Sequence, residues 1–282
     1  MNLTDQHVLK VAILDLYAGV ANEGMRCLRS LVKEFAEAHH FHLQLDEFEV
    51  RQHIQLPDLS YDVYISSGGP GSPLESEGSD WENAYFNWIR SIEAYNASVE
   101  YAARKHVLFI CHSFQLACRY FNIATVAKRR STAFGVFPVH MLEGGKEESV
   151  LKDLADPFYA VDSREYQVIQ PKHAIIEEMG GSILAIEKER PHIPLERAVM
   201  AVRFNDNMIG TQFHPEADAI GMSMYLQRED KKQNVIENHG FDKWESMIVQ
   251  LNDPDKILYT YATLVPNFLS NALAAQNSLV AQ

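Results

Sequence analysis

The 282-residue chain is long enough to bury a full core, as one large domain or as one domain with an appendage. With 46% hydrophobic and 22% charged residues it has the composition of a soluble globular protein, and its formal net charge of −13 argues against nucleic acid or an anionic membrane surface as partner. No apolar stretch approaches membrane-spanning length, Met1–His7 lacks the basic start and apolar run of a signal peptide, and Cys27, Cys111 and Cys118 form no CxxC pair, so a soluble cytoplasmic protein is expected.

Lys10-Val-Ala-Ile-Leu-Asp15 is a continuous apolar run of the kind found in strands covered on both faces. Leu28, Leu31, Val32 and Phe35 follow at i, i+3, i+4 and i+7, the stripe of an amphipathic helix. Residues 41–50 alternate His42, Gln44 and Asp46 with apolar neighbours as a second strand, and Asp62–Ser66 is a third, very short one. A long helix is expected over Trp81–Arg104, before the run that feeds Cys111. Strand, helix, strand, strand, helix, strand predicts a parallel α/β sheet with right-handed crossovers. The loop Ser66-Ser-Gly68-Gly69-Pro-Gly71-Ser-Pro73 leaves the third strand at its carboxyl end, where open parallel sheets carry their functional loops. Taken alone it is a plain Gly/Pro turn, and it lacks the Gly-Lys-Ser/Thr or G-x-G-x-x-G register of a phosphate cradle.

In His106-Val-Leu-Phe-Ile-Cys111-His-Ser-Phe-Gln115-Leu-Ala-Cys118 an apolar β-type run stops at a cysteine and passes at once into helical spacing. A nucleophile on a sharp strand-to-helix turn is exposed, and the unpaired amides and dipole at a helix start favour a thiolate. For Cys111 in isolation, a buried strand-end cysteine is the plainer reading. Farther on, Phe134–Val139 and Phe158–Val161 look like short strands, with Asp162–Val168 a loop-rich connection. Arg197–Phe204 and Met208–Phe213 flank the hairpin turn Asn205-Asp-Asn207, and the second strand runs into Gln212-Phe-His214-Pro-Glu216. If strand geometry persists there, His214 and Glu216 project to one side, and a histidine backed by a carboxylate is the base a cysteine nucleophile needs. His-Pro-Glu also offers two metal ligands, but no Pro-Cys-x-x-Cys follows and every cysteine lies upstream, so no metal is expected.

Together the Gly-Gly-Pro-Gly loop, the elbow with Gln115 and the Phe-His-Pro-Glu strand end resemble the class I glutamine amidotransferase family, in its GMP synthetase glutaminase-domain-like part, over roughly residues 8–217. The resemblance implies an α/β, flavodoxin-like fold, a mostly parallel sheet flanked by helices, with residues 1–217 as the amidotransferase-like domain. It implies a Cys111-His214-Glu216 triad that hydrolyses the side-chain amide of glutamine, or a related amide, through a thioester, with no cofactor. The amides of Gly69 and His112 would form the oxyanion hole, and Gln115 and Gly68 would contact substrate. Ammonia would pass to a separate synthetase or acceptor protein, since no synthetase domain fits in the chain; a second copy of the chain is a further admissible partner.

The family elbow usually reads Gly-x-Cys-x-Gly-x-Gln, whereas Phe109 and Ser113 replace both glycines here, which bears on turn geometry and turnover. Asp162-Ser-Arg164-Glu-Tyr166 stands where many relatives have a Tyr/Trp-His segment near substrate, which points to an altered pocket. Ile110-Cys111-His112-Ser113 also looks like the peptidase and chaperone-like branch of the superfamily, whose base directly follows the cysteine. Homoserine acyltransferases share the fold and triad, and a catalytically silent binding or regulatory homologue is the contrasting class. Residues 218–282 read as a helical extension packed on the domain. Within it Arg228–Lys232 is a solvated face, a helix starts at Asp253-Pro254, Ile257, Leu258, Tyr261, Leu264 and Val265 form a stripe, and Pro266 ends or kinks that helix.

Overall fold

Side chains of the first strand, β1 (Val8–Asp15), alternate between two layers. Val11 and Ile13 join Leu28, Leu31, Val32 and Phe35 of α1 (Gly24–Ala38), the expected stripe. Ala12 and Leu14 join the core on the other face. The computed structural model describes residues 8–101, 103–192, 194–251, 253 and 256–280. After the half-exposed β2 (His42–Glu49) come β3 (Val63–Ser66), α2 (Asp80–Ala97) and β4 (His106–Ile110). Strands β1, β3 and β4 are covered on both sides, which is why they read as unbroken apolar runs. The chain continues through α3 (His112–Tyr120), β5 (Thr125–Met141), α4 (Glu143–Glu147), β6 (Phe158–Ile169), α5 (His173–Glu178), β7 (Ser182–Glu187), β8 (Val199–Asn205) and β9 (Met208–Thr211). Four helices end it: α6 (Ala219–Gln227), α7 (Glu229–His239), α8 (Phe241–Leu251) and α9 (Ile257–Val280).

The strands form one nine-stranded sheet among the described residues, in the order β2-β1-β3-β4-β9-β8-β7-β5-β6. Pairings from β2 through to β9 are parallel. Those from β9 outward to β6 are antiparallel, so an antiparallel wing extends the parallel half. The α/β, flavodoxin-like sheet flanked by helices that the sequence implies is the fold observed. Helix α9 lays Leu264, Val265, Phe268, Leu269 and Ala272 into the same core as α1. Helices α6 to α8 build a smaller cluster, Leu226, Val235, Met247 and Leu251, against Val136 and Val161 of β5 and β6.

Four expectations are corrected. Helix α2 stops at Ala97 rather than Arg104, because the Asn96 side chain bonds both the Lys105 N–H (2.7 Å) and its carbonyl (2.8 Å), turning the chain back toward β4. Asp162–Val168 is not a loop but the middle of β6. Its charged residues mimic a loop, yet Asp162 and Arg164 point inward and neutralise each other through bonds of 2.8 and 2.9 Å. Strand β5 is much longer than Phe134–Val139 and pairs with β7, which the sequence reading passes over. Helix α9 runs through Pro266 rather than ending there, and buried neighbours on both sides hold it together despite the missing N–H. Of the helix start at Asp253-Pro254, Pro254 lies outside the described residues, as do Met1–His7. In the stretch Arg228–Lys232, Arg228 and Glu229 are exposed and the Lys232 ammonium lies 4.6 Å from the Trp244 ring.

Candidate active site

The elbow is built by the parallel strands around it. Cys111 sits between β4 and α3 with φ +50° and ψ −97°, a conformation that costs a non-glycine residue about 1–3 kcal/mol and persists only when its surroundings fix it. Its N–H donates to the Thr211 carbonyl (2.7 Å) and its carbonyl accepts from Gln115 N (3.0 Å), so strand and helix each hold one side of the turn. Both departures from the family elbow are accommodated. Ser113 is fully buried, its hydroxyl accepting from Ile110 N (2.8 Å) and donating to the Ser66 carbonyl (2.7 Å), which ties the end of β3 to the elbow. Phe109 finds room because Gly210 is its partner on β9; a Cβ on Gly210 would lie 2.6 Å from the Phe114 ring and 3.4 Å from the Phe109 Cβ. The glycine absent from β4 is thus balanced by one on the adjacent strand.

Beyond β9 the chain crosses back toward β6, where His214 N–H donates to the Val161 carbonyl (2.8 Å) in an isolated bridge. The His214 ring presents Nδ1 to Glu216 Oε1 at 2.8 Å. Burial disfavours charge on this ring, but the Glu216 carboxylate and the Cys111 sulfur outweigh it and hold its pKa well above the ordinary imidazole value. Gly68 lies flat against the same ring, 2.8 Å separating a notional Cβ from His214 Cε1. Gly69 presses on the chain just past β1 so closely that a Cβ would sit 2.4 Å from the Leu16 carbonyl oxygen, and only glycine fits there.

Cys111, His214, Glu216, Gly69, His112 and Gln115 all border one cavity of about 990 Å³, with Gly68 behind the imidazole. Among the described residues, the amides of Gly69 and His112 have no protein acceptor. Gln115 is held by its Nε2, which donates to Gln212 Oε1 (3.1 Å) and the Tyr166 carbonyl (3.3 Å). His112 behaves unlike His214. Its ring is 1% exposed, Nε2 has no partner, and burial aided by Arg51 and Arg119 depresses its pKa to about 3. A ring so hard to protonate is a poor base for the adjacent cysteine.

Three neighbours of the sulfur escaped the sequence reading. The Ser163 carbonyl and Gln212 Nε2 each lie 3.8 Å from Cys111 Sγ. Tyr17 borders the cavity, and burial together with Glu216 and Cys111 pushes its phenol well above the ordinary value, keeping it a neutral donor. Tyr17 lies two residues past β1, beyond the carboxyl end of a central parallel strand, and that position was the signal for it. No cluster of three metal-ligating side chains occurs among the described residues, and no helix among them is long and apolar enough to cross a membrane.

Residues 12–229 match the family model for glutamine amidotransferase class-I. No curated protein matches the chain. Among solved structures, a glutamine amidotransferase from Thermotoga maritima superposes with a TM-score of 0.67 at 14% identity, covering 95% of this chain and 99% of that one. A glutamine amido transferase from Methylobacillus flagellatus gives 0.61 at 13%, covering 96% of each chain. The glutaminase domain of Trypanosoma brucei CTPS, solved with bound acivicin, gives 0.57 at 14%, covering 95% of this chain and 94% of that one. At such identities the likeness is one of fold.

Proposed function

The chain belongs to the class I glutamine amidotransferase family, and from that premise we propose that it hydrolyses the side-chain amide of glutamine and releases ammonia for a separate acceptor protein. The observation that carries this reading is the His214 imidazole, bonded to Glu216 and bordering the same cavity as Cys111.

Cys111 attacks the carboxamide carbon as a thiolate, its proton held on His214. The carbonyl oxygen takes the negative charge and is met by the Gly69 and His112 amides. As the tetrahedral centre collapses, the C–N bond breaks, His214 delivers its proton to the departing nitrogen, and ammonia leaves a γ-glutamyl thioester on Cys111. His214 then takes a proton from water, hydroxide adds to the thioester carbon, and glutamate departs with the thiolate restored. Glu216 fixes the ring orientation and stabilises the imidazolium. Gln115 lines the approach of the amide, whereas Gly68, expected to contact substrate, instead backs the His214 ring. Residues 1–217 form the catalytic domain in this reading, and the helices after it pack against it as an extension. Free thiols at Cys27, Cys111 and Cys118 fit a reducing cytoplasm.

Treatment with a glutamine-mimicking electrophile tests the reading. Mass spectrometry is expected to find the adduct on Cys111, and Cys111→Ala is expected to abolish it. His214→Ala is expected to lower the glutaminase rate about 10²–10⁴-fold, with a milder loss for His112→Ala. Equal or greater loss for His112→Ala would transfer the base to the adjacent histidine, and an unlabelled Cys111 would leave a binding protein.

A further inference from the structure

The turn that follows β2 carries side chains that the chemistry above leaves unused. Strand β2 is the outermost strand of the parallel half, with β1 between it and β3. Val50 N–H donates to the Asp15 carbonyl (3.0 Å), which brings the following turn, residues 51–53, over the end of β1. The Glu49 carboxylate holds that turn, accepting from Gln52 N (2.8 Å) and His53 N (2.7 Å). Gln52 Nε2 in turn donates to the Ala18 carbonyl at 2.8 Å, in the loop that leaves β1.

Arg51 reaches farther, to the loop that leaves β3. Its Nη1 donates to the Pro70 carbonyl at 2.6 Å and to the Leu16 carbonyl at 3.3 Å. One guanidinium nitrogen carries two N–H groups, so it serves both oxygens at once. The two oxygens flank Gly69: Pro70 follows it directly, and the Leu16 carbonyl is the surface against which Gly69 presses. The guanidinium carbon sits 5.2 Å from the centre of the Trp81 ring in the first turn of α2, a cation–π contact that restrains the fork. Arg51 is not among the residues that border the cavity.

Glycine makes this fastening matter. Gly68 and Gly69 lack the Cβ that limits backbone rotation, and the peptide between them carries the Gly69 amide. The His112 amide is aimed by the helix it opens, but the Gly69 amide has no helix behind it. Its peptide is held from two sides instead, both referred to Leu16. Upstream, the Ser67 hydroxyl accepts from Leu16 N (3.0 Å) and donates to the Gly68 carbonyl (2.8 Å). Downstream, Arg51 ties the Leu16 carbonyl to that of Pro70 with a charge-assisted donor, the stronger kind of bond.

We propose that Arg51 is a positioning residue: bound to Leu16 and Pro70 together, it fastens the loop so that the Gly69 amide points at the oxyanion. It acts through the main chain rather than by touching substrate. This rests on the glutaminase reading, in which that amide meets the developing negative charge.

Two electrophiles separate the aim of the amide from the integrity of the fold. A glutamine-mimicking chloromethyl ketone builds an oxyanion when Cys111 adds to its carbonyl, before chloride leaves. Iodoacetamide alkylates the same sulfur by displacement and builds none. Arg51→Met is expected to slow the ketone at Cys111 about 10–100-fold, read by mass spectrometry of the Cys111 peptide, while the iodoacetamide rate stays within about threefold. For glutamine, kcat should fall by a like factor while KM changes less than about threefold. Arg51→Lys keeps the charge without the planar fork and is expected to recover only part of the loss. A ketone rate that falls no more than the iodoacetamide rate overturns the proposal. So does full recovery by lysine, which would leave charge alone as the cause. If Arg51→Met fails to fold by circular dichroism, the ratio of the two rates in Arg51→Lys decides: a fall supports the proposal and an unchanged ratio overturns it. If the ratios respond as expected while wild-type protein hydrolyses no glutamine, the assignment of Arg51 stands and the glutaminase reading falls. If the ketone leaves wild-type Cys111 unlabelled, both fall.

Discussion

The two halves of the sheet solve the same problem of burial by different means. The parallel half fills its layers with aliphatic and aromatic side chains and places its polar chemistry only at strand ends, in the Gly68-Gly69 loop, the Cys111 elbow and the turn to His214. The antiparallel wing buries charge within its strands. Arg129 and Arg190 bond the Glu187 carboxylate at 3.0 and 2.6 Å, and Arg164 approaches it at 3.5 Å while gripping Asp162. Burial raises the Glu187 pKa, but the arginines outweigh it and hold it below the ordinary range. The difference separates two tasks. Under the proposed function the apolar half would hold the reacting atoms, while the charged wing forms part of the wall of the same cavity.

The comparison is broken most directly at Glu187. Replacing it by Ala leaves buried guanidinium groups without their shared anion, and unfolding by urea is expected to show a loss of about 3–5 kcal/mol, with Glu187→Gln in between. A change below about 1 kcal/mol, the level of a solvent-exposed pair, would mean that the wing does not depend on its charges.

A pH series sharpens it next, because the histidines beside the elbow have opposite signs. His112 is depressed to about 3 from an ordinary value near 6.5, so the folded state favours its neutral form. Its contribution is complete above pH about 6.5 and is lost as pH falls toward 3. The depressed His106, at about 4, adds to the same acid limb. His214 is raised, so its contribution is complete below its ordinary value and fades as pH rises through the elevated one. His112→Asn is expected to flatten the acid limb by on the order of 3 kcal/mol between neutral pH and pH 3.5, read from urea midpoints. An unchanged acid limb would put the acid sensitivity elsewhere.

The smallest effect is at Ser113. Restoring the family glycine there removes the acceptor of Ile110 N and the donor to the Ser66 carbonyl, both buried. Ser113→Gly is expected to destabilise by about 1–3 kcal/mol in thermal or urea unfolding, although it moves the sequence toward the family pattern. A gain in stability would show that the hydroxyl merely fills space.

Legibility in the sequence divides along the same line. Strands β1, β3 and β4 announce themselves because a strand covered on both faces has no polar position to interrupt it. The elbow and the His214-Glu216 segment could be read because their chemistry sits at the junctions between such runs and irregular chain. The part of β6 after Val161 could not, since Asp162 and Arg164 look like loop residues until each is known to face the other. Ser163 contributes a main-chain oxygen, which no residue type discloses, and Gly210 explains Phe109 only once the two strands are known to be partners. Pairing across long sequence separations is what a local pattern does not contain.

One main-chain bond spans this division. The amide of His214 reaches over to the carbonyl of Val161, so the imidazole is fastened to the wing as well as to the strand that delivers it. Strand β6 therefore offers the Val161 carbonyl to His214 N–H and, two residues on, the Ser163 carbonyl that lies 3.8 Å from Cys111 Sγ. The Cys111 sulfur and the His214 ring thus have one stretch of main chain as a common neighbour.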